Sequence, residues 1–255
     1  MLLNFKKYGD LGPPIIILHG FLGSLDNWLS IAKQLSKDNQ VFLMDQRNHG
    51  KSPHNESMDY FVLANDLLDF TLQNKLKDII LIGHSMGGKV AMLFALQHPN
   101  LVHKLIVVDI APIDYAGGHE FILDAMASLE LNKYKDRAAI EQDLREKIFS
   151  DVLLQFILKN LGRTNQNTFE WKVNLPILIK NYRNLMVFPK LDLKFGGKTL
   201  FIKGENSDYI DMSMLEFFET FFQKMKIVEI KGAGHWVQAE QPQIFVDVVS
   251  AFLKE

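Results

Sequence analysis

The chain contains no cysteine. That excludes disulfides, thiolate metal sites and a cysteine nucleophile, and it suits a reducing cytoplasm. An excess of either charge is also missing: 28 Lys and Arg stand against 30 Asp and Glu, a formal net charge of −2. Without a basic stripe to neutralise phosphates, nucleic acid is not an expected partner. No run approaches the roughly 18 apolar residues that a membrane span requires. Met1 to Tyr8 lack the apolar core and cleavage site of a secretory leader. Internal repeats and low-complexity tracts are absent too. What remains, 47 % hydrophobic and 23 % charged, reads as an ordinary globular chain. Its 255 residues suffice for one large α/β domain, or for a core with an insert.

Metal and nucleotide motifs fail as well. Asp45 and His49 have no further ligand at suitable spacing, so no metal is expected; a salt-bridged structural role for Asp45 and Arg47 fits better. Gly50-Lys51-Ser52 looks like the end of a phosphate-binding loop, but that pattern needs glycine where Asp45 stands. No cofactor is therefore expected.

What is present centres on Ile79-Ile80-Leu81-Ile82-Gly83-His84-Ser85-Met86-Gly87-Gly88. The aliphatic run predicts a buried central strand. Gly83-x-Ser85-x-Gly87 then fits a nucleophile elbow, with a helix following over Lys89 to Leu96. A strand that reverses into a helix within a few residues leaves no room for side chains at 83 and 87. Ser85 at the apex would hold its hydroxyl clear of the sheet.

Around the elbow the pattern alternates. Strands are predicted at Leu2 to Tyr8, Ile15 to Leu18, Val41 to Asp45, Lys104 to Asp109, Lys198 to Gly204 and Lys226 to Ile230. Helices are expected over Trp28 to Leu35, Asp59 to Asn74, Asp211 to Phe222 and from Pro242 onward. This order argues for an α/β fold with a parallel sheet. Between Ile113 and Leu191 no strand-like run occurs and four helices are expected, near 119–131, 136–149, 151–161 and 175–185. Residues 113–191 thus read as a helical cap on a core formed by 1–112 and 192–255.

A serine nucleophile needs a base. Of eight histidines, His235 fits best: it follows the last strand in a glycine-rich loop and completes the order Ser…Asp…His. His84 is expected to form a wall of the substrate site, and His19 and His49 to tie their loops. Two aspartates compete to orient His235. Asp109 ends the strand after the elbow strand, and Asp208 lies four residues past Gly204, with Ser207 at the more usual position of the acid. Asp109 is preferred and Asp208 is the alternative. For an oxyanion hole, Met86 supplies one backbone N–H and Phe21, in His19-Gly20-Phe21, the other. Phe21 and Trp236 join His84 as expected substrate contacts.

These pieces resemble the α/β-hydrolase superfamily and, within it, the YbfF-type esterases. The likeness is carried by His19-Gly20-Phe21-Leu22-Gly23, Gly234-His235-Trp236 and, far more selectively, Arg47-Asn48-His49-Gly50 and Asp109-Ile110-Ala111-Pro112. The resemblance implies an eight-stranded, mostly parallel sheet with a helical cap inserted after strand 6. It implies hydrolysis of carboxylic esters, short-chain above all, with acyl-CoA thioesters or another bond on the same triad as the alternative. It favours Asp109 as the acid. A non-catalytic receptor on the same fold is the reading from another class. A monomer or homodimer acting on a small-molecule ester in the cytoplasm is expected.

Overall fold

Aliphatic runs too short for helices, and apolar on both faces, become the strands of a covered sheet. The computed structural model describes residues 1–255. Its strands are β1 (Phe5–Tyr8), β2 (Pro14–Leu18), β3 (Gln40–Met44), β4 (Ile79–His84), β5 (Val102–Val108), β6 (Leu161–Arg163), β7 (Phe169–Trp171), β8 (Phe195–Gly204) and β9 (Phe222–Ile230). Helices are α1 (Leu29–Leu35), α2 (Tyr60–Gln73), α3 (Met86–Gln97), α4 (Glu120–Ala127), α5 (Arg137–Arg145), α6 (Asp151–Leu158), α7 (Leu175–Met186), α8 (Leu215–Phe221), α9 (Val237–Glu240) and α10 (Pro242–Lys254).

Seven strands form one sheet in the order β1-β3-β2-β4-β5-β8-β9, with only β1 antiparallel to its neighbour. Side chains alternate between its faces. Ile15, Ile17, Ile80 and Ile82 pack with α1 and α10, while Ile16, Leu18, Leu81 and Leu105 pack with α2, α3 and the insertion. Because β2 lies between β3 and β4, the crossover changes direction there, and the loops after β2 and β4 open side by side at the carboxyl edge.

Five expectations need correction. The sheet has seven strands instead of eight, and the insertion follows the fifth, β5, instead of the sixth. The first strand begins at Phe5 rather than Leu2: Leu3 is buried, and Asn4, whose carbonyl accepts the Asp45 amide (2.9 Å), also bonds to the Asp45 carboxylate and the Ser52 hydroxyl. The insertion is not purely helical, because β6 and β7 form a hairpin among α4 to α7. Strands of three residues are too short to show periodicity. The turn between them has Asn167 at φ 62°, and the Arg163 guanidinium lies 4.1 Å from the centre of the Phe169 ring. Lastly, α8 stops at Phe221, because fully buried Phe222 pairs with Phe195 as the start of β9.

The insertion is fastened to the core by hydrogen bonds to exposed helix ends and loops. Tyr60 donates to the Leu185 carbonyl (2.7 Å), and the Asn160 amide to that of Leu22 (2.7 Å). Lys89, one turn along α3 from Ser85, donates through Nζ to the carbonyl of Met186 (2.9 Å) at the end of α7. Its Nζ also lies 4.8 Å from the Tyr115 ring centre. Burial pushes this lysine down to about 7, against a weaker opposing pull from Asp114.

Between about pH 7 and the unfolded value of 10.5, the unfolded chain therefore holds a proton that the folded chain has released. The cost of burying the charge is full below that window, and stability rises with pH across it. Urea unfolding of wild type and Lys89→Met from pH 7 to 10 should show the difference in unfolding free energy moving in favour of wild type. A difference independent of pH would contradict this.

Candidate active site

Ser85 sits between β4 and α3 at φ 52°, ψ −119°, a strained conformation for a residue with a side chain. The strain is enforced by packing. A Cβ on Gly83 would lie 2.2 Å from the Gly87 carbonyl oxygen, and one on Gly87 would lie 2.6 Å from those of Leu18 and His19. The Ser85 amide donates to the Val108 carbonyl (3.0 Å), which fixes the apex against β5.

At the end of β5, Asp109 adopts φ 51° and is wholly buried. Its carboxylate accepts three hydrogen bonds: from the Gly204 amide (3.0 Å), from the Ser207 hydroxyl, and from Nδ1 of His235 (2.8 Å). A carboxylate only accepts, so the proton of His235 is on Nδ1 and Nε2 is left with a free lone pair. His235 and Ser85 line one cavity, and no hydrogen bond joins them. Unliganded sites of this kind are often looser than the reacting complex.

Asp208 is exposed and does not bond to His235. The neighbouring Ser207 instead places its hydroxyl on Asp109, so the position three residues past Gly204 supports the carboxylate at the end of β5.

Phe21 and Met86 line a second cavity with Ser85, and their backbone N–H groups donate no hydrogen bond within the protein. Gly20 allows the approach of that loop: a Cβ there would lie 2.8 Å from His84 Nδ1 and 3.2 Å from the Ser85 Cβ. The Nε2–H of His84 donates to the His235 carbonyl (2.8 Å). Burial and the nearby His235 ring hold His84 well below the usual histidine range, hence neutral. Trp236 and His84 both line the cavity shared by Ser85 and His235. The two cavities touching Ser85 measure about 30 Å³ each. That is room for about one water and no acyl chain, and His119, Ile122, Leu153, Phe156 and Leu185 of the insertion help line them.

Several supporting residues gave no readable signal in the sequence. Tyr209 stacks on His235 with ring centres 4.0 Å apart and planes 23° from parallel. Tyr115 holds that tyrosine by donating to its carbonyl (2.6 Å). Glu240 accepts the amides on both sides of His235, Gly234 at 2.7 Å and Trp236 at 3.2 Å.

The Phe21 loop rests on neutral histidines. His19 Nε2 accepts the Gln46 amide (3.0 Å), and His49 Nε2 accepts the Leu22 amide (3.3 Å). Burial pushes His19 down to about 4 and His49 down to about 3. Asp45 and Arg47 are structural, but not as a pair. Asp45 accepts from Asn4 and from the amides of Leu25 and Lys51, whereas Arg47 forks onto Asp66 at 2.6 and 2.8 Å.

The site thus has a buried carboxylate aligning an imidazole beside a strained serine, at the carboxyl edge of a parallel sheet. That combination defines the class of α/β hydrolases with a serine elbow. The profile of the alpha/beta hydrolase fold matches residues 13–134. Sn-1-specific diacylglycerol lipase ABHD11 of Xenopus laevis is 36 % identical over 99 % of this chain and 84 % of its own. Esterase YbfF of Escherichia coli is 32 % identical over 95 % of this chain and 93 % of its own. The structure of a marine microorganism esterase superposes with a TM-score of 0.96 at 43 % identity, covering 98 % of both chains. The chain belongs to the α/β-hydrolase family.

The buried neutral histidines predict an acid response. Both fold with values below the unfolded 6.5, so the unfolded chain takes up protons first and stability is lost as pH falls below about 6.5. His49→Gln should flatten the decline of unfolding free energy between pH 6.5 and 4 by up to about 1.4 kcal/mol per pH unit. An unchanged slope in urea titrations would show that His49 is not held neutral.

Proposed function

We propose that this protein, an ester-hydrolysing enzyme, works as a cofactor-free serine carboxylesterase. The observation that carries this reading is the 2.8 Å hydrogen bond from His235 Nδ1 to Asp109, which leaves Nε2 basic in a cavity shared with Ser85. In this reading His235 Nε2 takes the proton of the Ser85 hydroxyl as Oγ attacks the ester carbonyl. Asp109 keeps the ring in the right tautomer and stabilises the imidazolium. The unpaired amides of Phe21 and Met86 receive the oxyanion. His235 then protonates the departing alcohol, and a water activated by the same nitrogen releases the acid from the acyl-serine.

Short acyl groups are the preferred substrates in this reading, supported by the confined space at Ser85. Residues 113–191 act as the cap, which excludes bulk water and must yield for substrate to enter. The names of the relatives, esterase and lipase, support an ester as the bond cleaved. No helix is long and apolar enough to cross a membrane. A monomer or homodimer in the cytoplasm is the setting we propose, the latter on the cysteine-free composition.

Stopped-flow hydrolysis of p-nitrophenyl butyrate should release a burst of nitrophenol equal to the active enzyme, then a slower steady rate. Ser85→Ala should lose about 10⁴-fold or more in kcat. Asp109→Asn should lose about 10³- to 10⁴-fold, with Asp208→Asn close to wild type. Undiminished turnover in Ser85→Ala would end this reading, and the reverse ranking of the two aspartates would reassign the acid.

A further inference from the structure

His235 stands on a stretch that is neither strand nor helix: β9 ends at Ile230 and α9 begins at Val237. The backbone N–H groups there must find partners one by one. The Gly232 amide donates to Glu205 (2.8 Å), and the Ala233 amide to the Ile230 carbonyl (3.4 Å). The Gly234 amide donates to one carboxylate oxygen of Glu240 (2.7 Å), and the Trp236 amide to the other (3.2 Å). One side chain thus grips the backbone before and after His235 and leaves the ring free for Asp109. Space is tight on both sides of this loop. A Cβ on Gly234 would lie 3.3 Å from each Glu240 oxygen, and one on Gly204 would lie 2.2 Å from the Gly234 carbonyl oxygen. A helix cap is the plain alternative, since the Trp236 bond closes the first turn of α9. The shorter bond argues against a cap alone. It goes to Gly234, two residues ahead of the N-cap Trp236, where it satisfies no helical N–H.

We propose that Glu240 is a positioning residue for the base: its carboxylate, bonded to the amides on either side of His235, sets the place from which the imidazole meets Asp109 and Ser85. This deepens the esterase reading and rests on it. A displacement of about 1 Å at a reacting group can cost about 10²-fold in rate. The groups that support such a site must therefore hold it to within about 0.5 Å. Binding an ester makes no such demand on the imidazole, so the effect of Glu240 falls on kcat rather than on KM. Glu240 is also exposed and lines the largest cavity, of about 510 Å³. A small carboxylate from solution can therefore reach the place that a shortened side chain leaves.

The test compares wild type, Glu240→Ala and Glu240→Gln on p-nitrophenyl butyrate, with rates expressed per site titrated by a fluorophosphonate. In Glu240→Ala, kcat should fall by about 10- to 100-fold while KM stays within about twofold of wild type. Glu240→Gln keeps one acceptor oxygen and should lose less. Formate supplies the carboxylate without the chain. It should restore part of kcat in Glu240→Ala and change nothing in wild type, and chloride at the same ionic strength should restore none. The displacement should also show without substrate. The low-field proton resonance of His235 Nδ1–H, identified by its absence in His235→Gln, should shift or broaden in Glu240→Ala and recover in formate. A wild-type kcat per titrated site, or an unchanged resonance, would reduce Glu240 to a helix cap and overturn the proposal. So would a loss carried by KM alone, or a loss of kcat that formate does not relieve. If the wild-type enzyme turns over no ester, the esterase reading falls, while the resonance still decides whether Glu240 holds the imidazole on Asp109.

Discussion

The backbone of β4 passes so close to that of α3 that positions 83 and 87 have no room for a Cβ. The rest of the site depends on that contact. It forces Ser85 into positive φ and sets its side chain beyond the sheet, at the amino end of α3, where the Met86 amide has no partner inside the protein. The adjacent strand repeats the device. Asp109 leaves β5 at φ 51°, its amide held by the Ile202 carbonyl (2.8 Å), and its carboxylate lies buried under the loops that follow β8 and β9. Ser85 and Asp109 are thus fixed by neighbouring strand ends. His235 arrives on a loop and is held from four sides: by Asp109, by the Tyr209 ring, by His84 and by Glu240 around its own backbone.

Charge is handled differently on the two sides of the serine. Beneath the Phe21 loop the protein uses buried histidines kept neutral, so their ring nitrogens accept backbone amides without adding positive charge. On the cap side it buries Lys89 against carbonyls at the end of α7 and the faces of tyrosine rings. The lysine joins the helix that follows Ser85 to α7 of the insertion through a hydrogen bond.

Much of the site could be read from the chain because its constraints are local. The glycine spacing of 83 and 87, the apolar run before it and the loop containing His235 each state their role within a few residues. The partner of His235 was harder: Asp109 and Asp208 both end or follow strands, and only the fold separates them, bringing His235 Nδ1 to Asp109 (2.8 Å) while Asp208 stays exposed. Tyr209 and Glu240 were not legible, because each acts on a loop that packing alone brings near. The pattern marks seven strands, as the sheet has, and the eighth was implied only by the resemblance; the first strand begins at Phe5, three residues later than expected. The hairpin of β6 and β7 was hidden by its length, and the end of α8 by phenylalanines that suit a helix face as well as a strand.

The central claim is that Ser85 is an activated nucleophile, made so by His235 and Asp109. A fluorophosphonate probe tests it directly, since it reacts with serine only when the hydroxyl is deprotonated by a working base. Peptide mass spectrometry of the labelled protein should find one adduct per chain, on Ser85, at a rate that collapses in His235→Ala. An unlabelled Ser85, or equal labelling with and without the imidazole, would contradict the account.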